Sequence, residues 1–187
     1  MARYPVLVLG IAASIAATAA TAAAQGKVVD ELRLGALAHD AGIFGNNKEP
    51  GADLNAELRF VSPEFLRVIG APRPPLGVSV NTSGATDQAY FGLTWTLTLL
   101  RGLFSSSDNL FLDGSLGGSV HDGELDTSRV DRKSLGSRFL FRESLELGWS
   151  FIPSQSISVM LDHISNAGLA RRNQGLDTIG MRYGIRF

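Results

Sequence analysis

The sequence predicts an all-β protein, an eight-stranded antiparallel transmembrane β-barrel of the outer-membrane type with a polar interior and an apolar, lipid-facing exterior. Three observations carry that prediction. Apolar and polar residues alternate with a period of two through eight successive stretches, most of ten or more residues, whereas a globular strand runs to roughly five or six and a tilted bilayer crossing takes roughly 9–11. The polar rows hold charges of both signs: Arg33, Glu57, Arg59, Asp113, Arg142, Glu146, Asp162, Arg182 and Arg186. So many mixed charges read as a neutralised core rather than a watery face. Finally, 21 glycines with few long apolar runs favour strands and turns over helices.

The chain of 187 residues suffices for one domain. Its 44% hydrophobic content, 19% charge and net charge of -1 exclude both disorder and a charge-driven nucleic-acid binder. Residues 1–24 differ from the rest, with Arg3 as a positive start, Val6 to Ala17 as an apolar centre and Ala22-Ala23-Ala24 as a cleavage site. They read as a secretory signal peptide, too alanine-rich for a membrane anchor of about 20 strongly apolar residues. Residues 25–187 are then a single barrel domain. With no cysteine, it is held by hydrogen bonding rather than disulfides.

Strand one, Glu31 to Ala38, places Leu32, Leu34, Ala36 and Ala38 on one face. His39 to Gly51, rich in Gly and Asn, is a loop. Strand two, Ala52 to Ser62, opposes Leu54, Ala56, Leu58 and Phe60 to Asp53, Asn55, Glu57 and Arg59. Pro63 to Pro75 is a connection with one helical turn near Phe65 to Ile69. Strand three carries Leu76, Val78 and Val80 and turns at Ser83-Gly84-Ala85. Strand four, about Asp87 to Leu100, aligns Phe91, Leu93, Trp95 and Leu97. Strand five is Asn109 to Val120, and His121 to Leu135 is a polar loop. In strand six, Ser137 to Phe151, Glu143 interrupts an otherwise apolar row. Strands seven, Gln155 to Asn166, and eight, Gly175 to Phe187, close the count.

A secreted sandwich would bury the apolar rows, whereas an outer-membrane barrel turns them to lipid, and closure removes the strand edges that lipid forbids. The terminal run Met181, Tyr183, Ile185, Phe187 resembles the C-terminal signature of bacterial outer-membrane barrels. With periplasmic termini, the connections after strands one, three, five and seven lie outside. Pro63 to Pro75 is long for a periplasmic turn.

Chemistry concentrates in the last hairpin. His163 and Ser165 occupy odd positions of strand seven, on the lipid side, about 6.6 Å apart at roughly 3.3 Å per residue. A nucleophilic serine needs a base, and the base an orienting acid. Asp162 points into the barrel by parity, while Asp177 shares the apolar face of strand eight, so parity selects Asp177. The plain structural alternative makes His163 and Ser165 interfacial polar residues and Asp177 part of a turn. His39, His121 and His163 lack metal-ligand spacing, and no cofactor is expected.

The string His163-Ile164-Ser165-Asn166-Ala167-Gly168, then Asn173-x-Gly175-Leu176-Asp177 and the Tyr183 to Phe187 ending, resembles the bacterial outer-membrane lipid A 3-O-deacylases, the PagL or acyloxyacyl hydrolase family. Leu34 to Gly45 and Ser79 to Trp95 are similar too. The resemblance implies Ser165 as nucleophile, His163 as general base and Asp177 as orienting acid, with Asn166 and Gly168 near the oxyanion hole. Arg171 and Arg172 would meet lipid A phosphates. The best-known members carry glutamate where this chain has Asp177. Lipid A or lipopolysaccharide is the implied substrate, outer-membrane lipids the surroundings, and a homodimer stays open. A phospholipase or general esterase, or a non-catalytic structural or adhesion barrel, are the alternatives.

Overall fold

The computed structural model describes residues 28–187; the signal peptide expected at 1–24 lies outside them. Eight antiparallel strands close in sequence order into a barrel: β1 (Val29–His39), β2 (Ala52–Phe60), β3 (Pro75–Asn81), β4 (Gln88–Arg101), β5 (Asn109–His121), β6 (Phe139–Ile152), β7 (Gln155–Ser165) and β8 (Leu176–Arg186). Each bound falls within two residues of the sequence expectation. Four connections gather at one end of the barrel: L1 (40–51), L2 (82–87), L3 (122–138) and L4 (166–175).

An eight-stranded barrel leaves an interior that side chains just fill, so every inward charge needs a partner. Arg33 reaches Glu31, Asp113 and Glu146. Arg59 meets Glu57, Asp113 and Glu146, Arg182 meets Glu57 and Glu146, Arg142 meets Asp162 and Arg73 meets Glu31. Four buried guanidinium groups, with the partly exposed Arg73 at the edge, thus neutralise five carboxylates. The Tyr90 hydroxyl donates to Glu57, and its ring lies 3.7 Å beneath the Arg142 guanidinium. Arg186, expected in this core, instead sits half-exposed at the last strand position, beside Asp30 and Glu31. Strand parity is preserved there, but the barrel has run out and the side chain meets solvent.

The outward rows carry Leu34, Leu54, Leu76, Phe91, Leu97, Leu116, Leu147, Val159 and Met181, all exposed. That is the inverse of a soluble core and the arrangement lipid requires. The long connection 61–74 contains a 3-10 turn at Glu64–Ile69. It lies against the barrel wall, where the Trp95 indole N–H donates to Ile69 O at 2.8 Å and Arg73 bridges Thr94. Its length reflects that added pairing.

Candidate active site

His163 and Asp177 face each other across the β7–β8 ladder as direct register partners. His163 Nδ1 lies 2.5 Å from Asp177 Oδ1. Asp162, one residue away from His163, points inward to the Arg142 guanidinium at 2.7 Å and to Gln88. Ser165 stands two residues beyond His163 on the same face, half-buried, at the last position of β7. Among the described residues no hydrogen bond joins His163 to Ser165, and His163 Nε2 has no protein partner. A base in that state has its accepting nitrogen open, and such contacts commonly tighten only when substrate arrives.

Asp177 has the parity of a lipid-facing residue, yet it is only 1% exposed. The reason is L1, which folds over it. The Phe44 N–H donates to Asp177 Oδ2 at 2.7 Å, and the Ala41 N–H donates to the Asp177 carbonyl at 3.1 Å. Both carboxylate oxygens are therefore committed, one to His163 and one to L1. Gly42 permits the approach: at φ +142° a side chain there would be strained, and its Cβ would come within 3.1 Å of the Asp177 carboxylate. The Phe44 ring meets His163 edge-on, with centroids 5.6 Å apart.

L1 is organised in turn by Asp40. This fully buried carboxylate accepts from the backbone N–H groups of Asn46, Lys48 and Glu49, the local bonding that makes aspartate a loop builder. Lys133 of L3, itself buried, supplies the counter-charge by pairing with Asp40. Glu49 completes the floor: burial opposes its ionisation, but hydrogen bonds from His39 and from the backbone N–H groups of Lys133 and Thr86 hold its carboxyl at about 2. A chain of contacts thus runs from Lys133 through Asp40 and L1 to Asp177 and His163. Sequence reasoning missed Asp40, Phe44 and Lys133, because no periodicity marks a loop that returns to a distant strand.

Past Ser165, the Leu169 N–H donates to Asn166 O at 3.0 Å, with Ala167 at φ +53° and Gly168 at φ +78° between them. Two successive left-handed residues make a type I′ turn. Asn166, expected near an oxyanion hole, is 3% exposed and spends its donors within the loops. Its N–H donates to Asn173 Oδ1, and its amide Nδ2 donates to Leu135 O at 2.8 Å and Arg172 O at 2.6 Å. It braces L4 against L3. The N–H groups of Ala167 and Gly168 make no hydrogen bond among the described residues, and the space above Gly168 is open. Arg172 pairs with Asp126 at 2.9 Å, while Arg171 is exposed beside it.

A lipid-side histidine with a fixed acid, an adjacent serine hydroxyl and unpaired backbone N–H groups is equipped for acyl transfer. Comparison with known proteins points the same way. Residues 51–186 match the family model described as lipid A 3-O-deacylase (PagL). The chain is similar to the lipid A deacylase PagL of Bordetella bronchiseptica, 30% identical over 82 residues, which are 44% of each chain. It is also similar to that of Pseudomonas aeruginosa, 32% identical over 75 residues, 40% of this chain and 41% of the relative. The matched stretches thus span less than half the length of these curated relatives. The crystal structure of the outer membrane enzyme PagL shares the fold, with a TM-score of 0.63 at 17% identity over 84% of this chain and 99% of that one.

Proposed function

Because the chain belongs to the lipid A 3-O-deacylase (PagL) family, we propose that it hydrolyses the ester-linked acyl chain at the 3 position of lipid A, with Ser165 as nucleophile. The observation that carries this reading is the His163–Asp177 pair, set on the lipid-facing wall beside Ser165 and held there by L1. The barrel is an integral protein of the bacterial outer membrane, and its loop end meets the outer leaflet, where lipid A lies.

The proposed reaction gives each of these groups one step. His163 Nε2 takes the proton of Ser165 as Oγ attacks the ester carbonyl carbon, and Asp177 holds the ring with Nδ1 protonated. The oxyanion is received by the N–H groups of Gly168 and Ala167, with Asn166 positioning that turn. The imidazolium returns its proton to the departing sugar oxygen. Water, deprotonated by His163, then attacks the acyl carbonyl; the acyl–Oγ bond breaks, the fatty acid leaves, and the imidazolium returns the proton to Ser165 Oγ. In this reading the exposed Arg171 pairs with a lipid A phosphate, and Arg172 does so by exchanging its exposed Asp126 partner.

The test is the mass of lipid A from cells producing the protein. Loss of one ester-linked acyl chain with the native chain, and its retention with Ser165→Ala, is the expected result. Equal loss with both would refute a serine mechanism, and fatty acid released only from glycerophospholipid would refute the substrate.

A further inference from the structure

Three ionisable side chains on outward-facing strand positions form a row across the barrel wall near its loop end. Glu143 of β6, His163 of β7 and Asp177 of β8 are successive register partners. Glu143 and His163 therefore face each other directly, with Cα atoms about 4.5–5.5 Å apart. Asp177 is occupied twice over. Glu143 is exposed and makes no hydrogen bond or ion pair among the described residues.

A carboxylate on the lipid-facing wall costs stability in proportion to its depth. Glu143 lies four residues inside the loop end of β6, roughly 10 Å deep at 3.3 Å per residue and about 40° of tilt. A lysine or arginine could reach back to the headgroups along its methylenes, but glutamate is too short. It must meet its partner where it stands.

Glu143 stands in a groove of ≈390 Å³ that it shares with His163, Trp95, Leu116, Leu145 and Leu161. The groove exists because Gly114 leaves a gap in the outward row between Trp95 and Leu145, its register partners on either side. From His163 on β7 to Trp95 on β4 it spans three strand spacings, about 14 Å, the shape for an acyl chain leading from the catalytic end. The walls are apolar and Glu143 is the acceptor at the entrance. The Glu143 carboxyl oxygens have accepting capacity that no protein group uses among the described residues, so a lipid group that brings a donor into the groove meets a ready partner.

We propose that Glu143 is a specificity-determining residue: it accepts a hydrogen bond from a hydroxyl or amide N–H carried by the lipid beside the scissile ester, and so selects such esters over plain acyl esters. The inference rests on the deacylase reading above and deepens it. A site built to bind a donor rejects the analogue lacking it, because the acceptor, once covered by lipid, is then left unpaired.

The experiment uses the full-length protein in detergent micelles with three synthetic acylated glucosamines of equal chain length. The first carries a 3-hydroxyacyl ester at position 3 and an amide-linked chain at position 2. The second lacks the hydroxyl, and the third replaces the amide with an ester. For the native protein kcat/KM should fall about tenfold to a hundredfold for whichever lipid lacks the recognised donor, which also identifies its source. In Glu143→Leu, an apolar residue suited to that wall, the preference should disappear, and Glu143→Gln, still an acceptor, should keep part of it. Preferences within threefold of native in Glu143→Leu would overturn the proposal. So would a proportional loss on all three lipids, which would mean that Glu143 acts through His163. If the native protein cleaves none of the three, the deacylase reading fails as well; if it cleaves them and only the Glu143 ratios fail to move, this inference alone is lost.

Discussion

Replacing Asp177 with asparagine tests the geometry at its narrowest point. The carboxylate accepts at both oxygens, from His163 Nδ1 at 2.5 Å and from the Phe44 N–H at 2.7 Å. Asparagine has one acceptor oxygen and one NH2 group. The Phe44 backbone can only donate, so the amide oxygen must turn to L1 and the NH2 to His163. Nδ1 is then obliged to accept, which moves the ring proton to Nε2, the nitrogen needed as the base. The fold keeps its contacts while the tautomer is inverted. In a serine protease with a Ser-His-Asp triad, the same exchange costs about 10⁴ in kcat, and a loss of about 10³–10⁴ is expected here. The assay is fatty acid release from lipid A micelles, with thermal unfolding followed in parallel. Activity within tenfold of native, at unchanged stability, would show that Asp177 does not orient the base.

Asp177→Glu adds a methylene under L1, where a Cβ on Gly42 would already come within 3.1 Å of the carboxylate. It should lift Phe44 from the acid and lower kcat about a hundredfold, the cost of a roughly 1 Å misplacement; equal or higher activity would refute the clamp. Glu49, held at about 2 against an ordinary 4.5, contributes stability that is fully present above the ordinary value and lost as pH falls toward 2. That amounts to roughly 3 kcal/mol at most, and Glu49→Gln should flatten the acid limb of the unfolding curve between those values. In Arg182→Leu, Glu57 and Glu146 lose the guanidinium they share. Breaking so buried a network should cost about 3–5 kcal/mol in urea unfolding, without moving any residue of the site.

Strand count, face and class were legible in the chain because a period of two is a local property, and a crossing strand repeats it long enough to be counted. The same alternation put His163, Ser165 and Asp177 on one side and Asp162 on the other. Alternation held at Arg186 but could not tell that the barrel ends there and the side chain meets water, and it carried no information on how the connection 61–74 lies against the wall. It was silent on Asn166, whose donors are claimed by carbonyl groups of L3 and L4. No pattern in a single chain tells a free amide from a spent one.

By itself, then, the sequence determined a barrel, its greasy outside, its charged inside and the three side chains of the last hairpin that could do chemistry, since each follows from parity and residue type. The tertiary structure alone decided that L1 covers Asp177, that Lys133 anchors L1 through Asp40, and that Glu143 stands beside His163 over a groove opened by Gly114. Those facts depend on register between strands and on loops joining residues as far apart as Phe44 and Asp177. Register and loop paths are set by the closed barrel as a whole, in which the position of each strand follows from all the others.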